Sequence, residues 1–143
     1  MAAPRLDHVG LNVADLGAMA DWYAGAFGYS IQHQFDLADL DLRIVMLVAP
    51  DGRRFELLNR SETLSGLRAP TPVVAAQTSG YGHVCFVTDD LDGTFARLIE
   101  LGASPVLAPG PAPEAGVRMA WVHDPEQNLV ELITAPHDAV ADR

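Results

Sequence analysis

Leu6-Asp7-His8-Val9-Gly10-Leu11-Asn12-Val13-Ala14-Asp15-Leu16 lies without a gap over Tyr81-Gly82-His83-Val84-Cys85-Phe86-Val87-Thr88-Asp89-Asp90-Leu91. The offset is 75 residues, and it matches His8 to His83, Asp15 to Asp90 and Leu16 to Leu91. At the far end of each half the same offset lays Arg54-Phe55-Glu56-Leu57-Leu58 over Leu129-Val130-Glu131-Leu132-Ile133. A repeat of this length marks a duplicated supersecondary unit. The 143 residues therefore read as a single domain of two modules, about 5–60 and about 81–135, with a Ser-, Thr-, Gly- and Pro-containing linker at about 61–80.

Each module reads as a strand, a helix and three more strands, which makes the fold class α+β with two tandem βαβββ modules. In the first, alternating apolar residues predict a strand over 6–13. Asp15 can cap a helix that runs to Phe27 and stops at Gly28. Leu16, Met19, Ala20, Tyr23 and Phe27 give that helix an apolar stripe at 3.6-residue spacing. Strands are expected near 29–36, 41–49 and 53–59, the last pair joined by a turn at Pro50-Asp51-Gly52. In the second, a strand at about 82–88 precedes a helix over 91–101, capped by Asp89 or Asp90 and stopped at Gly102. Strands follow near 103–108, 116–123 and 128–134, with Asp124-Pro125-Glu126-Gln127 as the final turn.

Composition narrows the function classes. Nearly half the residues are hydrophobic, as a globular core requires, yet no run approaches the roughly 20 apolar residues of a membrane span. The first residues hold no apolar signal core, so a cytoplasmic protein is expected. A net charge of −10 repels nucleic acid and anionic lipid and excludes both as expected partners. All nine basic residues are arginine, which rules out lysine chemistry. Cys85 is the single cysteine, and in the apolar run His-Val-Cys-Phe-Val it reads as a small buried hydrophobe rather than a nucleophile.

Glu56 and Glu131 stand inside apolar strand runs, where an unpaired carboxylate costs several kcal/mol, roughly, unless something compensates it. A cation does so, and His8 and His83 recur at the same 48-residue spacing from these glutamates. Two related modules packed about a pseudo-twofold axis would bring the four side chains together. Two imidazoles and two carboxylates form a mixed shell suited to one divalent Zn, Ni, Co, Mn or Fe(II) ion with positions left open. Taken singly, each histidine also reads as an ordinary strand residue and each glutamate as a solvent-facing one, and a repeat can inherit structural residues too. His33, His123 and His137 have no counterparts and read as surface or supporting residues.

The module openings, together with Asp124-Pro125-Glu126-Gln127-Asn128-Leu129-Val130-Glu131-Leu132, resemble the vicinal oxygen chelate superfamily over roughly residues 5–135. That superfamily includes glyoxalase I, methylmalonyl-CoA epimerase, extradiol dioxygenases and drug-resistance proteins. Gln127 stands where the superfamily's turn usually has glycine. The resemblance implies sheets that curl around a metal-containing cleft, with His8, Glu56, His83 and Glu131 as the ligands. A full His, Glu, His, Glu set is similar to that of glyoxalase I. It implies a lyase, isomerase or epimerase in which Glu131 or Glu56 leaves the metal to move a proton beside a carbonyl, with Glu131 preferred. An Fe(II)-dependent oxygenase on an aromatic or polyketide-like substrate and a non-catalytic drug-sequestering protein are the alternatives. Asn12, in place of an arginine, and the missing lysine before Val117 argue against glutathione. Strand alternation and the resemblance turn Val117, Met119 and Trp121, with Ile44 and Met46, toward the cleft, which suits a small hydrophobic or aromatic substrate. Arg118 then points away, and Met119 and Trp121 read equally well as core. Asn12, Asn59 and Arg60 are candidates for polar substrate contacts, and the superfamily implies a homodimer.

Overall fold

The computed structural model describes residues 3–135, so His137 lies outside the described residues. The chain divides into two compact units, Met1–Leu64 and Ser65–Arg143. In the first, β1 (His8–Asn12) is followed by α1 (Leu16–Phe27), β2 (Ser30–Leu37), a 3-10 turn at Ala38–Leu40, β3 (Leu42–Val48) and β4 (Arg54–Asn59). The sheet order is β1-β4-β3-β2, with β1 parallel to β4 and the other pairs antiparallel. The second unit opens with a short helix, α2 (Pro72–Ala75), and then repeats the plan with β5 (Val84–Val87), α3 (Leu91–Glu100), β6 (Ser104–Pro111), β7 (Arg118–His123) and β8 (Leu129–Ile133). Its order, β5-β8-β7-β6, is that of the first sheet, and β5 is parallel to β8. The architecture is the expected α+β pair of βαβββ modules.

Local chemistry explains the helix ends. The Asp15 carboxylate accepts from the Ala18 N–H at 3.0 Å, and Gly28 closes α1 at φ 70°, where a Cβ would be strained. Of the two candidate caps in the second module, Asp90 caps α3, accepting from the Gly93 N–H at 2.9 Å. The apolar stripe of α1 is wider than its spacing predicts: Trp22 and Ala26 are buried with Leu16, Met19, Ala20 and Tyr23, while Phe27 is half-buried. Aromatic packing accounts for this, since the Trp22 ring meets Tyr23 edge-on at 4.9 Å.

The expected linker is not a bare tether. Thr71 caps α2, accepting from the Val74 N–H at 3.3 Å, and Pro72 opens its first turn. Ala69 and Ala75 pack in one apolar cluster with Trp121 and Leu129. The His123 Nε2–H donates to the Ala69 carbonyl at 2.9 Å, which gives that buried histidine a structural role. Residues from Ser65 onward thus belong to the second unit. Among the described residues, no helix is long and apolar enough to cross a membrane.

Strand alternation divides each sheet into two faces. In β4, Phe55, Leu57 and Asn59 are buried and alternate with the half-buried Arg54, Glu56 and Leu58. The Phe55 ring lies 4.8 Å from that of Tyr23, so the first set faces α1 and Glu56 points to the opposite face. In β7, Arg118 reaches Asp92 on α3 through two contacts of 2.6 and 3.1 Å. Arg118, Ala120 and Val122 therefore face α3, and Met119 and Trp121 turn the other way. Burying side chains such as Leu57 and Leu132 on the helix faces contributes about 1.5–3 kcal/mol each.

Candidate metal centre

In the first unit the parallel ladder sets His8 beside Arg54, Gly10 beside Glu56 and Asn12 beside Leu58. His8, Gly10, Asn12 and Glu56 thus share the face away from α1. The His8 Nε2 stands 3.5 Å from Glu56 Oε2. A Cβ added at Gly10 would come within 3.4 Å of that carboxylate oxygen and 3.3 Å of Leu58 Cδ1, so glycine leaves this edge of the pair open. Met46 is the cross-strand partner of Glu56, which places its side chain on the same face.

The second unit repeats the arrangement. His83 immediately precedes β5, and its Nε2 is 3.4 Å from Glu131 Oε2. Trp121 is the cross-strand partner of Glu131, and its ring meets the His83 ring edge-on at 4.8 Å. Cys85 takes the place of Gly10 and pairs in register with Glu131. Contrary to the sequence expectation, Cys85 is exposed by surface area. Its thiol is nonetheless pushed up to about 12, first by desolvation and then by the charge and hydrogen bonding of Glu131. It therefore stays protonated and is a poor nucleophile.

The side chains of Glu56 and Glu131 are only 19% and 18% exposed, so each carboxylate gives up most of its water. The spacing to each histidine exceeds the roughly 2.7–3.2 Å of an N–H···O hydrogen bond. Two donors at about 2.0–2.2 Å from one ion would stand about 3.0 Å apart at an octahedral angle and about 3.4 Å apart at a tetrahedral one. Each His–Glu pair is thus spaced as two donors to a shared cation, and the nitrogen and oxygen donor chemistry fits a divalent metal. The structure brings the four sequence-predicted residues together pairwise, His8 with Glu56 and His83 with Glu131. Among the described residues, no group of three or more His, Cys, Asp or Glu is arranged to hold a metal.

A profile of the glyoxalase/bleomycin resistance protein/dioxygenase superfamily matches residues 5–132. The chain belongs to this superfamily. An ethylmalonyl-CoA/methylmalonyl-CoA epimerase of Cereibacter sphaeroides is 29% identical over 136 residues, covering 90% of this chain and 96% of the relative. A glyoxalase/bleomycin resistance protein/dioxygenase domain from Frankia sp. EAN1pec superposes with a TM-score of 0.76 at 19% identity, covering 94% of this chain and all of the other. Glyoxalase I from Zea mays superposes with a TM-score of 0.71 at 26% identity over 90% of this chain. The chain spans only 45% of the length of that maize protein.

Within this superfamily fold the remaining candidates take definite places. Asn12 is exposed at the end of β1 on the His8 face. Asn59 is not free for substrate: it is buried, its Nδ2 donates to the Val13 and Ala14 carbonyls, and its Oδ1 accepts from Arg43. Its parity with Phe55 and Leu57 already placed it on the helix face. Arg60 lies 3.8 Å from Asp41 at the surface. Met119 packs against the cluster of Trp121, Leu129, Ala69 and Ala75. A cavity of about 360 Å³, lined in part by Leu16, Asp21, Gln34 and Arg43, lies on the α1 side of the first sheet and contains none of the four His and Glu residues. Sequence reasoning missed Asp7 and Arg54. The Asp7 Oδ2 accepts from His8 Nδ1 at 2.7 Å and also from the Arg54 guanidinium, and the two bonds hold the Asp7 carboxyl below its ordinary range. An acidic residue directly before the histidine was the available signal.

Proposed function

We propose that the protein is a divalent-metal-dependent isomerase or epimerase that moves a proton at the carbon beside a carbonyl group. His8, Glu56, His83 and Glu131 are the ligands in this reading, supplied as two His–Glu pairs. The observation that carries it is the pair geometry, with Nε2 to Oε2 separations of 3.5 and 3.4 Å around carboxylates that are more than four-fifths buried. Superfamily membership and the epimerase relative support the same chemistry.

The metal, drawn from Fe, Ni, Co, Mn and Zn, supplies a Lewis acid for the substrate carbonyl, which makes the neighbouring C–H more acidic. Glu131 would take that proton on its carboxylate and return it, to the adjacent carbon for isomerisation or to the opposite face of the same, now planar, carbon for epimerisation. Glu131 suits the base role because its in-register neighbour Cys85 carries a thiol that can hydrogen-bond the carboxylate, whereas the corresponding neighbour of Glu56 is Gly10, which has no side chain. His8 and His83 hold position through their Nε2 atoms. The half-buried Met119 offers an apolar contact backed by the buried Trp121, with Met46 buried at the corresponding place in the first module, and Asn12 offers a polar contact. By analogy with the epimerase relative, the substrate class in this reading is a 2-substituted acyl thioester. The homodimer expected from the superfamily belongs to this proposal.

The test begins with metal analysis of protein purified without added metal. It continues with methylmalonyl-CoA in D2O, followed by proton NMR. The expected result is near-stoichiometric metal and solvent deuterium at C2, with exchange abolished in Glu131→Ala. Wild-type protein that takes up no divalent metal overturns the reading. Bound iron with oxygen consumption on an aromatic substrate replaces it with oxygenase chemistry. Tight antibiotic binding by metal-free protein replaces it with sequestration.

A further inference from the structure

The two histidines are held by different devices. Asp7 precedes His8, and its Oδ2 lies 2.7 Å from His8 Nδ1. The Arg54 guanidinium contacts the same oxygen, and its Nη1 also donates to Gln32 Oε1 at 3.3 Å. This chain of contacts exists because the parallel register sets Arg54 directly beside His8 on the neighbouring strand. In the second module the repeat puts Gly82 in place of Asp7 and Leu129 in place of Arg54, so neither group is available to His83.

An ionised carboxylate only accepts hydrogen bonds, so a ring nitrogen at 2.7 Å from it must carry the proton. That leaves the lone pair of neutral His8 on Nε2, the atom that stands 3.5 Å from Glu56. We propose that Asp7, steadied by Arg54, is a positioning residue that fixes the tautomer and ring orientation of His8 so that Nε2 is the ligating atom. This inference rests on the metal reading above. It makes the first half-site preorganised by a carboxylate–histidine pair, a type of outer-shell contact whose loss costs about 10–100-fold in metal affinity. His83 has instead the edge-on Trp121 ring, which constrains the imidazole plane without selecting a tautomer.

The test uses full-length protein labelled with nitrogen-15, free of metal, at a pH where the imidazoles are neutral. Long-range proton–nitrogen correlation spectra report which ring nitrogen is protonated, and His8→Ala assigns the His8 signals. The expected wild-type result is a protonated Nδ1 and a bare Nε2. Asp7→Ala should mix the tautomers of His8, leave those of His83 unchanged and weaken Co(II) binding by about 10–100-fold. Asp7→Asn retains an acceptor oxygen and should restore most of both properties, while Arg54→Ala should produce a smaller loss of each. A wild-type His8 protonated on Nε2 overturns the proposal. So does an Asp7→Ala protein with unchanged tautomer and Co(II) affinity. If wild-type protein binds no Co(II), the metal reading fails and takes this inference with it. If it binds Co(II) and Asp7→Ala binds equally well, only this inference fails.

Discussion

Gln127→Gly is expected to stabilise the protein without disturbing the proposed metal site. Gln127 has φ 70°, inside the left-handed region that costs a residue bearing a Cβ about 1–2 kcal/mol. Its side chain is exposed, so shortening it removes no buried contact. The bonds that hold the turn come from elsewhere. The Gln127 N–H donates to the Asp124 carbonyl at 2.9 Å, which glycine preserves, and Asp124 Oδ1 accepts from the Glu126 and Asn128 N–H groups at 2.9 Å each. Glycine loses more conformational freedom on folding, which offsets the gain by about 0.5–1 kcal/mol. The net is a stabilisation of about 0.5–1 kcal/mol. With an unfolding entropy of about 2.1 cal/mol/K per residue, this raises Tm by about 2–3 °C if the whole chain melts together, and by roughly twice that if the second unit melts alone. Differential scanning calorimetry at fixed protein concentration and without metal measures it. Because β8 is positioned by its ladder with β7, Glu131 should not move and Co(II) affinity should match wild type. A fall in Tm would refute the strain argument and show that the Gln127 side chain supports the turn.

His8→Ala and His83→Ala should each weaken metal uptake by more than the about 10–100-fold typical of losing an outer-shell partner, as read by isothermal calorimetry; equal affinity in either variant would remove that histidine from the ligand set. Cys85→Ala should keep the metal stoichiometry and slow deuterium exchange by about 5–10-fold, the value of one hydrogen bond of about 1–1.5 kcal/mol, with Cys85→Ser restoring it; an unchanged rate would deny the thiol its part in holding Glu131. Asp15→Ala removes the cap of α1 and should cost about 1 kcal/mol in urea denaturation. Asp41 is held below its ordinary value of 3.8 chiefly by the Ser61 hydroxyl, and Asp92 by Arg118. Both folded pKa values are depressed, so their stabilisation is fully present above 3.8 and is lost as pH falls through the lower folded values. Asp92→Asn should therefore flatten the acid limb of a urea-midpoint profile, and an unchanged limb would assign that loss to other carboxylates.

The His–Glu pairs were legible because the repeat fixes both residue type and parity: each glutamate lies one residue from buried apolar neighbours on the opposite face, and alternation does the rest. The same parity would have excluded Asn59, which shares a face with Phe55 and Leu57. The Asp7–Arg54 contact was not legible, since it depends on the register of β1 against β4, and the two residues are 47 apart. Nor was the packing of the linker, although Thr71-Pro72 is a helix-start signal; four residues give no apolar period to read. His123 looked ordinary because its partner is a backbone carbonyl 54 residues away. Trp22 escaped the stripe of α1 because its burial comes from ring-to-ring contact with Tyr23, which widens the face beyond one row of a helix.

The two modules hold nearly identical donor pairs in unlike surroundings. Asp7 corresponds to Gly82, Gly10 to Cys85, Met46 to Trp121 and Arg54 to Leu129. A perfectly repeated pair of modules would offer a substrate two equivalent carboxylates, and a proton could be taken or returned by either with equal ease. Here one carboxylate stands against a glycine and beside a histidine tied back to Asp7. The other stands against a protonated thiol and beside a histidine bounded by an indole. The first pair is built to keep its imidazole in one orientation. The second gives its carboxylate an alternative partner. On the function proposed above, divergence around an unchanged donor set would separate the job of holding a cation from the job of moving a proton, without altering any of the four residues that the repeat preserves.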